Sequence, residues 1–340
     1  MNGSNGPYLA LLLALLVSCA GEPDLVVYCA LDQVHAEPLI RRFEAETGLT
    51  VRAEYDIEAS KTVGFVNRIR EEQNRPRCDV FWNNEIAHTI ALANEGLLAS
   101  YDSPSAADIP DTFRDPERRW TGFAARARVF IVNTDLADPA EIGSMYDLFD
   151  ERWSGKVGMA RPLTGTTLTH MAALFVVLGD ERAMDYLERV KAANAAGRLD
   201  LTSGNAHTMR RVRDGELAWG WTDTDDYNVA RLDGAPVAVV YPDQGGPDAI
   251  GTLLIPNTIA VLAAAPHPDA ARRFVDWILE PAIEEELAHA RSAQIPVRDS
   301  VARPAHVMAG DRLRFMEVDF ERVGAKLVER QAMLKEMFLD

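Results

Sequence analysis

Three carboxylates and two hydroxyls crowd into the stretch Trp221-Thr-Asp-Thr-Asp-Asp-Tyr227. Asp223, Asp225 and Asp226, with Thr222 and Thr224 between and before them, form a cluster of hard oxygen donors suited to a hard cation or an ammonium group. The run 217–221 ahead of them is short, apolar and aromatic-rich, the pattern of a buried strand. A polar loop directly after a strand is where open α/β sheets place their ligand groups. A second reading stays open. Asp and Thr ahead of Tyr227-Asn-Val-Ala-Arg-Leu232 would also cap a short helix and put negative charge at its N-terminus. Asp223-Thr-Asp225 begins like a calcium loop, but Tyr227 stands at the third ligand position, so the EF-hand pattern fails.

Other residues with chemistry to offer sit at similar junctions. Arg161-Pro-Leu-Thr-Gly-Thr-Thr167 follows a short apolar run at 156–160 and precedes an apolar helix reaching about residue 178. A strand, a turn containing Gly165 and a helix opening with hydroxyls would bring free backbone N–H groups, Thr166 and Thr167 to one place, where an anion could sit. The alternative is that one of these threonines is the helix N-cap. Within the extended run 122–132, Arg126 and Arg128 are two residues apart and share a face. They clamp an anion if that face lines a cleft, and are solvated otherwise. Asp32, Asn83, Asn84 and Glu85 follow apolar runs, either as ligand groups or as the charge and turn residues that open the next helix.

The elements that must position these groups alternate along the chain. Strand 25–30 leads to a helix over 36–47 with Leu39, Ile40 and Phe43 at helical spacing, stopped by Gly48. Strand 50–55 follows, then a helix capped by Ser60 with Val63, Val66 and Ile69 on one face, strand 79–82, and helix 86–94 stopped at Gly96. This βαβαβα order predicts a parallel sheet with helices on both faces and the C-terminal strand ends along one edge. Residues 101–119 read as loop, and 122–132 as a connecting strand that leaves the first domain. Helices are expected at 181–193 and 205–213 and a strand at 237–241. The extended run 252–263 then crosses back to helices at 270–279 and 282–290 and a charged helical tail from about residue 311.

Length and composition bound the answer. The chain has 340 residues, 47% of them hydrophobic, enough for two domains. With 35 basic and 52 acidic residues its net charge is -17, which argues against nucleic acid or anionic lipid as the principal partner. The apolar run 9–17 ends in Leu16-Val-Ser-Cys19; it is too short to span a bilayer and fits a signal-peptide core. Residues 1–18 contain no Lys or Arg, so the usual basic n-region is missing. Cys29 and Cys78 are the remaining cysteines. They are expected at opposite ends of neighbouring parallel strands, as buried small residues with no bridge. No His-Glu-x-x-His, Gly-x-Ser-x-Gly, Gly-x-Gly-x-x-Gly or paired Cys-x-x-Cys occurs, which removes the usual metalloprotease, serine hydrolase, dinucleotide and zinc readings. Two carboxylates suffice for glycoside chemistry, so a carboxylate-dependent hydrolase is the alternative of another class.

Taken together, Val26-Val-Tyr-Cys-Ala-Leu-Asp32, Phe43-Glu-x-Glu-Thr-Gly48, Cys78-Asp-Val-Phe-Trp82, Gly122-Phe-Ala-Ala-Arg-Ala-Arg128, Gly165-Thr-Thr167, Gly215-Glu216, Thr222-Asp-Thr-Asp-Asp226 and Tyr241-Pro-Asp-Gln244 resemble the ferric-ion-binding branch of the extracellular solute-binding proteins of ABC importers. Leu16-Val-Ser-Cys19 resembles a bacterial lipoprotein box, with Cys19 lipidated. The resemblance implies an α/β fold of the type II periplasmic binding class: residues 24–124 and 252–340 form one lobe, 125–251 the other, and two crossover strands the hinge. It implies no catalysis and no cofactor, but capture of ferric iron or a similar cation, with or without an oxyanion, as transported ligand. The cation would be held by Asp32, Asn84, Glu85, Asp223, Asp225 and Asp226, and the anion by Gly165, Thr166, Thr167, Arg126 and Asn205. An amine-bearing phosphonate or phosphate ester is the second ligand reading. The implied partner is a membrane permease, and the implied state an exported monomer in the periplasm or cell envelope, touching the membrane only through its lipid. Members that hold ferric iron carry an adjacent Tyr pair where this chain has Asp225-Asp226; carboxylates are hard ligands too.

Overall fold

The computed structural model describes residues 21–55, 62–246, 249–307 and 313–339. The apolar run 9–17, Cys19 and Ser60 lie outside the described residues. Apolar strands alternating with helices that are apolar on one face build a first βαβαβα unit: β1 (Leu25–Cys29), α1 (Gln33–Thr47), β2 (Val51–Tyr55), α2 (Val63–Glu71), β3 (Val80–Asn83) and α3 (Ala87–Asn94). As expected, β1 runs parallel to both β2 and β3. Helix α1 buries Ala36, Leu39, Ile40 and Phe43 and stops where Gly48 takes φ 72° and donates its N–H to the Glu44 carbonyl, a left-handed turn glycine makes without a Cβ clash.

β4 (Thr121–Asn133) is buried along its whole length and leads to a second unit: β5 (Val157–Ala160), α4 (Gly165–Leu178), α5 (Asp180–Ala195), β6 (Leu199–Thr202), α6 (Asn205–Arg213), β7 (Trp219–Asp223), α7 (Thr224–Leu232) and β8 (Val237–Val240). The chain returns through β9 (Leu254–Val261) to α8 (Pro268–Ile278), α9 (Pro281–His289) and α10 (Phe320–Phe338). The sheet order is β2-β1-β3-β9-β4-β7-β5-β6, with β8 also on β4. Thr121 to Ala127 of β4 pair with β9, and Arg128 to Asn133 pair with β7 and β8. One strand thus serves both halves of the sheet.

Apolar packing fixes this arrangement. Phe130 of β4 lies with its ring centroid 4.8 Å from Trp219 and 5.1 Å from Trp221, and Trp82 of β3 packs on Phe123 and Phe274. Each such ring removes a large apolar area from water. Gly220 lets α6 lie close on the sheet: a Cβ there would stand 2.5 Å from Thr208 Cγ2 and 2.9 Å from the Gly158 carbonyl. Cys29 ends β1, Cys78 precedes β3, and both are free and buried.

One expectation is corrected. The strand expected at 217–221 is Trp219–Asp223, because Thr222 and Asp223 pair with Val129 and Arg128; α7 starts at Thr224, so no loop separates strand from helix. Helix α10 packs against both α3 and α4, and so touches both halves of the molecule.

Candidate functional site

The carboxyl ends of β1, β3, β5, β6 and β7 converge on one cavity of about 50 Å³, the place where open α/β sheets bind ligands. Asp32, Asn84 and Arg126 line it from the β1–β3 side and from β4; Gly165, Thr166, Thr167 and Asn205 line it from the starts of α4 and α6; and Asp223, Asp225 and Asp226 complete it. Glu85 does not. Its carboxylate is buried behind the cavity and accepts from the backbone N–H of Ala87 (2.7 Å) and His88 (3.1 Å), from Asn83 Nδ2 (2.9 Å) and from Thr169 Oγ1 on α4 (2.6 Å). Burial works against its charge, but His88 and these donors prevail and hold its pKa below the usual value. Glu85 therefore starts helix α3 and ties it to α4.

The acidic stretch divides into two roles. Asp223 is already satisfied: Oδ1 accepts from Arg128 Nη1 (2.6 Å), and Oδ2 accepts from Thr166 Oγ1 (2.6 Å) and Asn205 Nδ2 (2.9 Å). Arg128, fully buried, also donates to Thr166 Oγ1 (3.3 Å) and Thr167 Oγ1 (3.2 Å) and lies 5.8 Å from the Trp221 ring. These contacts lock the end of β7 to the start of α4. Neither threonine is the N-cap, which is Thr164. Asp225 and Asp226 occupy the first turn of α7, where negative charge is favoured. Asp226 Oδ2 accepts from Thr222 Oγ1 (2.6 Å), and Asp225 Oδ2 lies 3.5 Å from Arg126 Nε. Burial raises the Asp225 pKa against the opposing pull of Arg126, and the charges of Asp223 and Asp32 raise it further. One carboxylate oxygen from each of Asp223, Asp225 and Asp226 falls within 4.8 Å of the others, a separation that a single hard cation can bridge.

Positive and donor groups stand directly beside these carboxylates. The start of α4 presents its unpaired backbone N–H groups, and Arg126, only 4% exposed, has a buried Nε without a hydrogen bond among the described residues. The site thus interleaves carboxylates with groups that could accept an anion. The sequence reading missed Asn257, which accepts from Arg126 Nη2 at 2.9 Å; the available signal was a lone amide in the apolar run Leu253 to Val261.

A sheet in two halves, with ligand groups gathered at the strand ends of both, defines a binding protein of the periplasmic class. The chain belongs to the family of bacterial extracellular solute-binding proteins, whose sequence profile matches residues 38–311. It is 24% identical over 321 residues to iron uptake protein A1 of Synechocystis sp. (strain ATCC 27184 / PCC 6803 / Kazusa), covering 85% of this chain and 84% of that one. Its fold matches that of iron-bound HitA from Pseudomonas aeruginosa with a TM-score of 0.80 at 23% identity, over 91% of this chain and 98% of the other. It also matches the periplasmic binding protein AfuA from Actinobacillus pleuropneumoniae, with fructose-6-phosphate bound, with a TM-score of 0.78 at 24% identity, over 92% and 96% of the two chains.

Proposed function

We propose that this chain is the substrate-binding component of an ABC importer and captures ferric iron or a similar hard cation, together with a small oxyanion, in the cavity described above. The observation that carries the reading is the gathering of Asp32, Asp223, Asp225 and Asp226 on one small cavity, with an oxygen from each of the last three within 4.8 Å of the others, beside the start of α4 and an Arg126 Nε that makes no hydrogen bond among the described residues. Asp225, Asp226 and Asp32 hold the cation, while Asp223, bound by Arg128, Thr166 and Asn205, fixes the end of β7 against the start of α4. Thr166, Thr167, Asn205 and Arg126 face the anion. Relatives named for iron uptake or ferric binding support this choice of cargo. No bond is made or broken; the work is selection and delivery.

In this reading residues 24–124 and 252–340 form one lobe and 125–251 the other, with β4 and β9 as the hinge, and the closed form docks on a membrane permease. Export with Cys19 lipidated follows from Leu16-Val-Ser-Cys19 behind an apolar run. Mass spectrometry of membrane-extracted protein then finds residues 1–18 absent and an acyl adduct on Cys19; intact Met1 overturns the anchor. An amine-bearing phosphonate is the second reading, since the same polarity suits a zwitterion. The cavity of about 50 Å³ holds a few water-sized groups, which favours a metal ion with a small anion. Elemental analysis of freshly purified protein, followed by calorimetry with ferric ion with and without phosphate, tests the choice. Binding of an aminoalkylphosphonate but of no metal would reverse it.

A further inference from the structure

Arg126 stands between two uses. It could close on Asp225 as an ordinary ion pair, or keep an N–H free for a ligand oxygen. It does both in part: Nε lies in ion-pair range of Asp225 Oδ2 at 3.5 Å but makes no hydrogen bond among the described residues, while Nη2 donates to Asn257 Oδ1 at 2.9 Å. Asn257 is fully buried on β9, where it stands opposite Phe123 of β4, and Arg126 stands opposite Ile255 two residues before it. Its amide can point only one way. Nδ2 donates to the Ala124 carbonyl and to Gln294 Oε1 (2.7 Å), and a backbone carbonyl accepts but never donates, so Oδ1 must face the guanidinium.

The anchor behind this amide is rigid. Ala124 sits at φ 42°, rare for a residue with a Cβ, where the β4–β9 register shifts. Its N–H donates to the buried Glu284 Oε1 (2.7 Å), and the adjacent Ala125 exchanges two 2.7 Å backbone bonds with Ile295. The Ala124 carbonyl is thereby held in place to orient Asn257.

We infer that Asn257 is a positioning residue, which keeps the Arg126 guanidinium from hydrogen-bonding Asp225 within their ion pair and leaves the Nε–H available to an anionic ligand oxygen. The inference rests on the proposed role of Arg126 as the anion contact. An uncharged acceptor is required at this position. A carboxylate there would neutralise Arg126, and a shorter apolar side chain would release it toward Asp225.

The test measures the affinity of the full chain for ferric ion supplied from nitrilotriacetate, with and without inorganic phosphate, so that the chelator cancels in the ratio. In the parent, phosphate raises affinity about tenfold, the worth of one charge-assisted hydrogen bond. In Asn257→Asp, which preserves volume, the gain falls below about twofold. Asn257→Ala loses it as well, and the Arg126 Nε–H resonance, which shifts on phosphate addition to the parent, no longer responds. Should either variant fail to fold, Gln294→Leu frees one side of the same amide and is expected to reduce the phosphate gain. Variants that fold and retain the parent's full gain overturn the positioning role. A parent that binds the metal with no phosphate gain overturns the anion half of the proposed function, and this inference with it.

Discussion

Asp225 links the ionisation of the site to its ligand. Burial, with Asp223 and Asp32 nearby, raises its pKa in the folded protein, so the metal-free native state binds more protons than the unfolded chain between the usual aspartate value of about 3.9 and the raised one. Metal-free stability therefore falls as pH rises through that window. A cation requires the ionised form, so its binding releases protons and weakens as pH falls through the same window. Calorimetry in buffers of different ionisation enthalpy reads both effects. Replacing Asp225 and Asp226 together by Asn retains volume but removes two charges. Since changes behind a metal ligand already cost about 10- to 100-fold in affinity, this double change is expected to exceed that range, and unchanged binding would mean that the two residues serve α7 alone. Away from the site, Asp243 is a cleaner test of the same linkage. Burial pushes its pKa up to about 6, although Ser144 Oγ and the Met145 N–H donate to Oδ1. Asp243→Asn retains an acceptor for both donors and tolerates the φ of 57°. It is expected to stabilise the protein by on the order of 2 kcal/mol at neutral pH. Melting curves should show that gain full above pH 6, shrinking as pH falls and absent below the ordinary aspartate range.

At the scale of elements, the βαβαβα start was legible because apolar spacing and two glycine stops mark each boundary: Gly48 and Gly96 both take positive φ. What spacing could not reveal depends on partners far away in sequence. Asp223 looks like loop until Arg128, 95 residues earlier, binds it and pairs with it in the sheet. Glu85 looks like a ligand until Thr169, 84 residues later, accounts for one of its oxygens. Asn257 carries no local pattern except its oddity in an apolar strand. Most of the cavity lining was nonetheless named from sequence, since strand-to-helix junctions announce themselves with Asp, Asn, Gly and Thr. The reach of α10 was not. Its Gly324 meets α3 so closely that a Cβ would stand 2.5 Å from Ile90 Cγ2 and 2.9 Å from Ile90 Cβ. Gly324→Ala gains helix propensity of about 1 kcal/mol, but overpacking costs about 1–3 kcal/mol. The expected result is a lower melting temperature. A rise in melting temperature for Gly324→Ala would mean that α10 is free to move away from α3.

For the whole molecule, the proposed hinge has to contend with contacts that bypass β4 and β9. Helix α10 lies on α3 and α4 together, and Lys326 and Arg330 pair with Asp180 at the start of α5 (2.8 and 2.9 Å). These pairs lie at the surface, where water and salt screen them, so they yield easily. The Thr169–Glu85 bond differs because it is buried and charge-assisted, and it joins α4 to the start of α3. Hydrogen bonds to charged groups contribute about 1.5–3 kcal/mol. If opening separates these two helices, Thr169→Val removes that contribution from the closed form alone. Glu85 keeps its donors from Asn83, Ala87 and His88, so the fold should survive. The closed population then falls by about tenfold or more, with no change to any residue lining the cavity. Two measurements follow. Small-angle scattering of the ligand-free variant should give a larger radius of gyration than the ligand-free parent, and saturation with ferric ion and phosphate should bring both to the same smaller value. Stopped-flow release should be faster in the variant by a similar factor, with the association rate changed less. If the scattering of the parent is the same before and after proven saturation, and Thr169→Val leaves release unchanged, the halves form one rigid body and the ligand enters a cavity that does not close.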